Sequence, residues 1–115
     1  MATISPVRSQ PAGVGVEKVL WETLTEADTA SAIIPSSTAP AIASVQVTGT
    51  FGSATIVLQG SNDGSNFFTL KDTAGNDISF TAAGGADFSV GCLHIRPSTS
   101  GGSSSDVDIS VIFRG

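Results

Sequence analysis

Two alternating apolar runs between Ala43 and Leu70 most constrain what this chain can fold into, because such alternation is typical of half-buried β-strands. The segment reads ASVQVTGTFGSATIVLQGSNDGSNFFTL. Glycines separate the runs, and Ser61 to Asn66 contains Asn-Asp-Gly, whose residues accept the positive φ of a tight turn. The pattern predicts a β-meander in which Gly64 has a positive φ.

The parity of these runs also predicts which side chains are buried. Alternate residues of a strand face opposite sides of its sheet, and the same alternation recurs from Val107 to Arg114. We therefore expect a core between two sheets, formed by Val45, Val47, Phe51, Ile56, Leu58, Phe68, Ile109, Val111 and Phe113.

Short strands are predicted along the rest of the chain as well. Val16 to Leu24 fits either a short helix or a strand, and the alternation of Val19, Trp21 and Thr23 favours the strand. Further strands are expected at Ser31 to Ile34, Asn66 to Asp72, Ile78 to Thr81, Asp87 to Val90 and Leu93 to Arg96, the last ended by Pro97, with loops at Pro35 to Pro40 and Ser98 to Ser105. About eight short strands without a helical period predict an all-β fold, either an antiparallel β-sandwich or a jelly-roll-like barrel.

The chain is expected to form one domain, residues 16–115, preceded by an extended N-terminal arm, residues 1–15. The arm contains two prolines, two glycines and few large apolar groups, so it cannot bury enough surface to fold alone. Two interpretations stay open: a disordered tail, or an arm that orders against a neighbouring subunit.

Composition and charge exclude several classes of partner. The net charge is −5, and the five basic residues are scattered, whereas nucleic-acid binding needs clustered positive charge. No run approaches the roughly 18 apolar residues of a membrane span, and we expect no secretory signal. We therefore expect neither a nucleic-acid partner nor a membrane, and synthesis in the cytoplasm.

No residue set predicts catalysis, a cofactor or a metal. The turn at Ser61 to Asn66 offers oxygens from Asn62 and Asp63, but a calcium loop needs six to eight oxygens and several carboxylates, so a structural turn is favoured. His94 is the one histidine and lacks a recognisable nucleophile and acid, and Cys92 is interpreted as a small buried hydrophobe. We expect a non-enzymatic protein without cofactors.

Four motifs in a fixed order suggest a family. They are W-x-x-L at Trp21 to Leu24, V-Q-V-x-G-T-F-G at Val45 to Gly52, G-S-N-D-G at Gly60 to Gly64, and I-R-P at Ile95 to Pro97. With them the chain resembles small structural proteins of tailed-bacteriophage virions, of the head decoration or cement type, from Trp21 to its C-terminus. The family implies no catalytic residues.

This resemblance implies a protein on the capsid surface of a virion that binds the major capsid protein and stabilises the shell as a homo-oligomer, a trimer or a dimer. The alternative is a carbohydrate-binding β module of the tail or baseplate, which would need several exposed aromatic residues along a groove. The candidate interface residues are Ile4, Val7, Arg8 and Trp21, and Trp21 also fits a place in the core.

Overall fold

A computed structural model describes residues 3–9, 16–25, 27–34, 42–89 and 91–114. The described residues form eleven strands, and no helix among them could cross a membrane. The strands are β1 Thr3–Ile4, β2 Val7–Ser9, β3 Val16–Leu24, β4 Thr29–Ala30, β5 Ile42–Thr50, β6 Thr55–Ser61, β7 Phe68–Thr69, β8 Ser79–Phe80, β9 Gly84–Ser89, β10 His94–Ser100 and β11 Asp106–Arg114.

Two antiparallel sheets build the predicted β-sandwich. One has five strands in the order β2-β3-β11-β5-β9, and the other has four, with β6 between β10 on one side and β7 and β8 on the other. A separate parallel pair joins β1 to β4. Buried side chains of both large sheets belong to a single apolar cluster, so the core lies between them.

Strand β11 occupies the centre of the five-stranded sheet. It pairs with β5 along its whole length and with β3 along most of it. Its inward residues Val107, Ile109, Val111 and Phe113 are all 0% exposed. The prediction that alternate residues of the last strand face the core is therefore confirmed.

The expected meander is wrong at one connection. Strands β5 and β6 follow each other in sequence but belong to different sheets. Between them, Gly52 and Ser53 both have positive φ, and the Ala54 N–H donates to the Phe51 carbonyl at 2.8 Å, which closes a tight turn. The turn carries the chain from one sheet to the other. Local alternation therefore identifies both strands but does not show which strands they pair with.

The predicted core is confirmed except at two aromatic positions. Phe51 is half-buried against the core cluster, and Phe68 is 51% exposed. Phe68 has the same parity as buried Leu70, but it lies on the short outer strand β7 opposite Gly60. Inward parity does not bury a side chain where the sheet ends.

Pro97 does not end its strand, contrary to the prediction, and β10 continues to Ser100. Ile95 exchanges both backbone hydrogen bonds with Ile33, each at 2.9 Å, on the side of β10 that faces away from β6. Residue 97 has the same backbone orientation as residue 95, so its missing N–H would point to this outer edge, where the ladder with β6 loses nothing. The predicted loop from Ser98 therefore begins only after Ser100.

A bulge in β3 changes the parity expected for its end. Val107 pairs with Leu24 and Ile109 with Trp21, so Glu22 and Thr23 together oppose one residue of β11. Thr23 has a φ of 53°, and its N–H donates to Asp108 Oδ1 at 2.9 Å. Leu24 is consequently buried, while Thr23 is exposed.

The described part of the predicted arm pairs with its own chain, which neither interpretation of the arm anticipated. Strand β2 pairs with β3, and β1 pairs with β4. Residues 10–15 of the arm and the predicted loop at 35–40 lie outside the described residues. Ser31 to Ile34, predicted as a strand, forms one bridge at Ile33, and the regular pairing lies just before it at Thr29–Ala30.

Truncation of Phe113 tests the assignment of the core. Phe113→Ala should lower the free energy of unfolding by about 3–5 kcal/mol, because it removes a fully buried ring. Phe68→Ala is the matched control and should cost far less, since Phe68 is 51% exposed. Urea denaturation of both variants measures the difference, and equal losses would contradict the assignment.

Candidate interaction surface

Apolar side chains lie on the outward side of the five-stranded sheet, at the end where β3 begins and β11 finishes. Exposed Val7 and Ile42 are the outer members of this group, at 58% and 60% exposure. Three half-buried residues, Val16, Leu20 and Ile112, lie between them. We call these five residues the outer apolar face.

The strand register places these residues on one side of the sheet. Val7 pairs directly with Leu20, and Arg114 pairs with both Val16 and Ile42. Ile112 lies one row further along, between Lys18 and Ser44. Side chains opposite each other in an antiparallel pair share a face, so the group is continuous across four strands.

Charges of both signs flank the outer apolar face. Lys18 and Arg114 lie within its rows, and Asp87 lies opposite Ser44 at the β9 edge. A depression of about 160 Å³ lies between Ile42, Ile112, Asp87 and Arg114. The face therefore combines apolar side chains with charges of both signs, a mixture that protein interfaces also show.

A shallow polar trough of about 520 Å³ continues the surface along β5 and β9. Ser44, Gln46 and Thr48 line one side, and the other side is low because Gly84 and Gly85 carry no side chains. A Cβ on residue 85 would lie 3.0 Å from the Val45 carbonyl oxygen, so the close approach of the two strands favours glycine there.

The four predicted interface residues separate in the structure. Val7 belongs to the outer apolar face, whereas Ile4 is half-buried against the core. Arg8 faces the opposite side, where its Nη2 lies 2.8 Å from Glu17 Oε2 and also donates to the Ile34 carbonyl at 2.7 Å. Glu17 is buried at 4% exposure, so the partly exposed Arg8 supplies its counter-charge from the surface.

Trp21 belongs to the core, and its placement at an interface is corrected. The indole is 0% exposed, and its Nε1–H donates to the Ser31 carbonyl at 2.9 Å. A buried indole whose polar atom is bonded within the chain has neither ring face nor donor available to a partner.

Sequence reasoning missed most of the outer apolar face. Ile42 points outward from its strand like Ser44 and Gln46, and Ile112 points outward like Ser110 and Arg114. An apolar residue at a position where its neighbours of the same parity are polar was the sequence signal that could have identified this face. The pairing of Val7 with Leu20 could not be read from the sequence, because nothing local specifies the register between β2 and β3.

The turn at Ser61 to Asn66 is built around the carboxylate of Asp63. Oδ1 accepts hydrogen bonds from Ser61 Oγ and from the backbone N–H groups of Ser65 and Asn66, at 2.8–2.9 Å, and Oδ2 accepts from Asn66 Nδ2. The Asn66 N–H and its side-chain amide, followed by the Ser65 N–H and the Ser61 hydroxyl, hold the pKa of Asp63 well below its usual range. Gly64 has a φ of 77°, which confirms the turn prediction.

The remaining chemical groups do not converge. A Cβ on residue 64 would lie 3.2 Å from His94 Nε2, so the histidine ring packs against the turn. Cys92 is half-buried, and burial raises the pKa of its thiol. Within the described ranges no three His, Cys, Asp or Glu side chains are placed to hold a metal ion.

Comparison with known proteins gives the fold. No family model matches the chain, and no curated protein matches it. Among solved structures, the crystal structure of the SPBc2 prophage-derived protein YomS is similar, with a TM-score of 0.62 over 87% of this chain and 95% of that chain. The two sequences are 12% identical, so the likeness shows a shared fold.

The ion pair of Arg8 tests whether the arm belongs to the folded domain. Arg8→Ala should lower the free energy of unfolding by about 1–3 kcal/mol, because a buried carboxylate loses this partner and the Ile34 carbonyl loses a donor. Arg114→Ala removes an exposed arginine and should change stability by under about 0.5 kcal/mol. Equal urea midpoints for the two variants would contradict the integration of the arm.

The pH dependence of stability tests the Asp63 turn. Its folded pKa lies below the unfolded value, so its contribution is fully present above about pH 4 and is lost as the pH falls through the folded pKa. Asp63→Ala should therefore lower the melting temperature at pH 7, and the difference from the unmodified protein should shrink below pH 4. A difference that stays constant down to pH 2 would mean that the carboxylate charge contributes nothing.

Proposed function

We propose that this chain is a non-enzymatic structural protein of a tailed-bacteriophage virion, which binds the outside of the capsid and stabilises it. The observation that carries the proposal is the outer apolar face, because Val7 and Ile42 are more than half exposed on one surface of the five-stranded sheet. Apolar groups gathered on one face of a soluble protein favour burial against a partner.

The ordered motifs and the fold support a phage protein. The motifs from Trp21 to Pro97 resemble those of virion decoration proteins, and the solved structure with the same fold comes from a prophage-derived protein. The partner in this proposal is the major capsid protein, and the location is the capsid surface of the virion.

Attachment through the outer apolar face suits a repeated lattice. A single small apolar contact gives modest affinity, but a dimer or trimer that engages several equivalent shell sites gains avidity without new contacts. Arg8 is paired within the chain, so the arm brings little free charge to this contact. Lys18, Arg114 and Asp87 add charges of both signs to this face, so their effects oppose each other and attachment should depend weakly on ionic strength.

The tail or baseplate carbohydrate module has less support. All seven aromatic residues lie in the described part of the chain, and of these Phe68 alone is more than one third exposed. A sugar-binding groove usually presents several aromatic faces, and here Trp21 is in the core.

The proposal is tested with phage heads assembled without this protein. The purified chain should sediment with such heads and raise the temperature at which they release DNA. Val7→Thr combined with Ile42→Thr should weaken binding by about 2 kcal/mol, roughly 30-fold, because two exposed aliphatic groups lose their apolar burial while β-branching is kept.

Leu93→Gln is the matched control, since Leu93 is also exposed, at 48%, but lies outside the five-stranded sheet. It should bind the heads as tightly as the unmodified chain. Failure of the unmodified chain to bind the heads would contradict capsid attachment, and equal losses in both variants would exclude the outer apolar face. Release between low and physiological salt would contradict an apolar contact.

A further inference from the structure

Arg96 is held in a fixed position on the outward side of the four-stranded sheet. Its guanidinium carbon lies 3.7 Å from the centre of the Phe67 ring, and its Nε donates to Gln59 Oε1 at 3.0 Å. Gln59 is the directly opposed residue on β6, so the hydrogen bond follows from the strand register. The ring sets the plane of the guanidinium, and the hydrogen bond to the Gln59 amide sets its orientation within that plane.

These contacts leave the end of the guanidinium available. Stacking uses its flat face, and Gln59 uses the Nε edge, whereas the two terminal nitrogens donate in the plane at the far edge. No described residue accepts a hydrogen bond from them. Arg8 and Lys71, by contrast, are each paired with a carboxylate of this chain.

The carboxylate in the adjacent turn is already engaged. Both oxygens of Asp63 accept hydrogen bonds from groups of the turn itself. His94 lies two residues before Arg96 on the same side of β10, and its ring packs against Gly64 of that turn. The turn thus contacts His94, which lies on the same side of β10 as Arg96, while its own Asp63 carboxylate does not pair with the arginine.

We propose that Arg96 binds the carboxylate of an acidic side chain on a protein partner, in a bidentate pair through its two terminal nitrogens. A planar fork held by a ring and an amide loses little conformational freedom on binding, and carboxylate is the group whose two oxygens match its spacing. The site does not depend on the outer apolar face.

The experiment uses NMR of the 15N-labelled chain, whose three arginines give three separate side-chain Nε–H signals. The probe is N-acetyl-glutamate N-methylamide, and the matched neutral probe is the corresponding glutamine compound. The acidic probe should shift the Arg96 signal saturably, and the neutral probe should not. Arg96→Lys should weaken binding about tenfold, as seen in the backbone signals of β10, because lysine offers no fork.

Arg114→Gln is the control variant, since it removes an exposed arginine of the other sheet and should leave the Arg96 response unchanged. The proposal is overturned if Arg96 responds no more than Arg114 in the unmodified chain, or if the glutamine compound gives the same shifts. Saturation by inorganic phosphate at lower concentration than by the glutamate compound would overturn the assignment to an acidic side chain. All three results come from the unmodified chain, so they do not depend on the stability of a variant.

Discussion

The pairing of β11 with both β3 and β5 is the constraint on which the structure depends. The last strand of the chain begins about 90 residues after the start of β3 and about 64 after the start of β5, so the five-stranded sheet forms only when distant parts of the chain meet. The entropy lost in closing these long loops is offset by apolar burial within the strand itself, because every inward residue of β11 is fully buried. Both the buried Glu17 on β3 and the exposed Ile42 on β5 owe their positions to this strand.

Local pattern was enough to predict the fold class, because burial of alternate residues is encoded within each strand. It also gave the bounds of β3 and the positive φ of Gly64. It could not predict the position of each strand within its sheet. Phe68 has core parity but no covering strand, and Pro97 is tolerated because its missing donor faces an outer edge. Which strand is at an edge is a property of the whole sheet.

The candidate surface was less accessible from the sequence for the same reason. Arg8 and Glu17 are nine residues apart, and only the β2–β3 pairing brings the guanidinium over the carboxylate. Once that pair forms, the residue next to Arg8 must face the other way, and Val7 becomes exposed. Two predicted interface residues therefore lie on opposite faces of the sheet because they are neighbours in one strand.

The two proposed contacts lie on opposite layers of the sandwich and differ in chemistry. The outer apolar face belongs to the five-stranded sheet, and Arg96 belongs to the outward side of the four-stranded sheet. Apolar burial is non-directional and gives affinity, whereas a fixed guanidinium selects a group and an orientation. A partner that covers one side of a rigid sandwich cannot also reach the other, so the two contacts would engage different molecules. Under the proposed function, a small domain with two such opposed surfaces would join neighbours within the capsid lattice and so strengthen the shell.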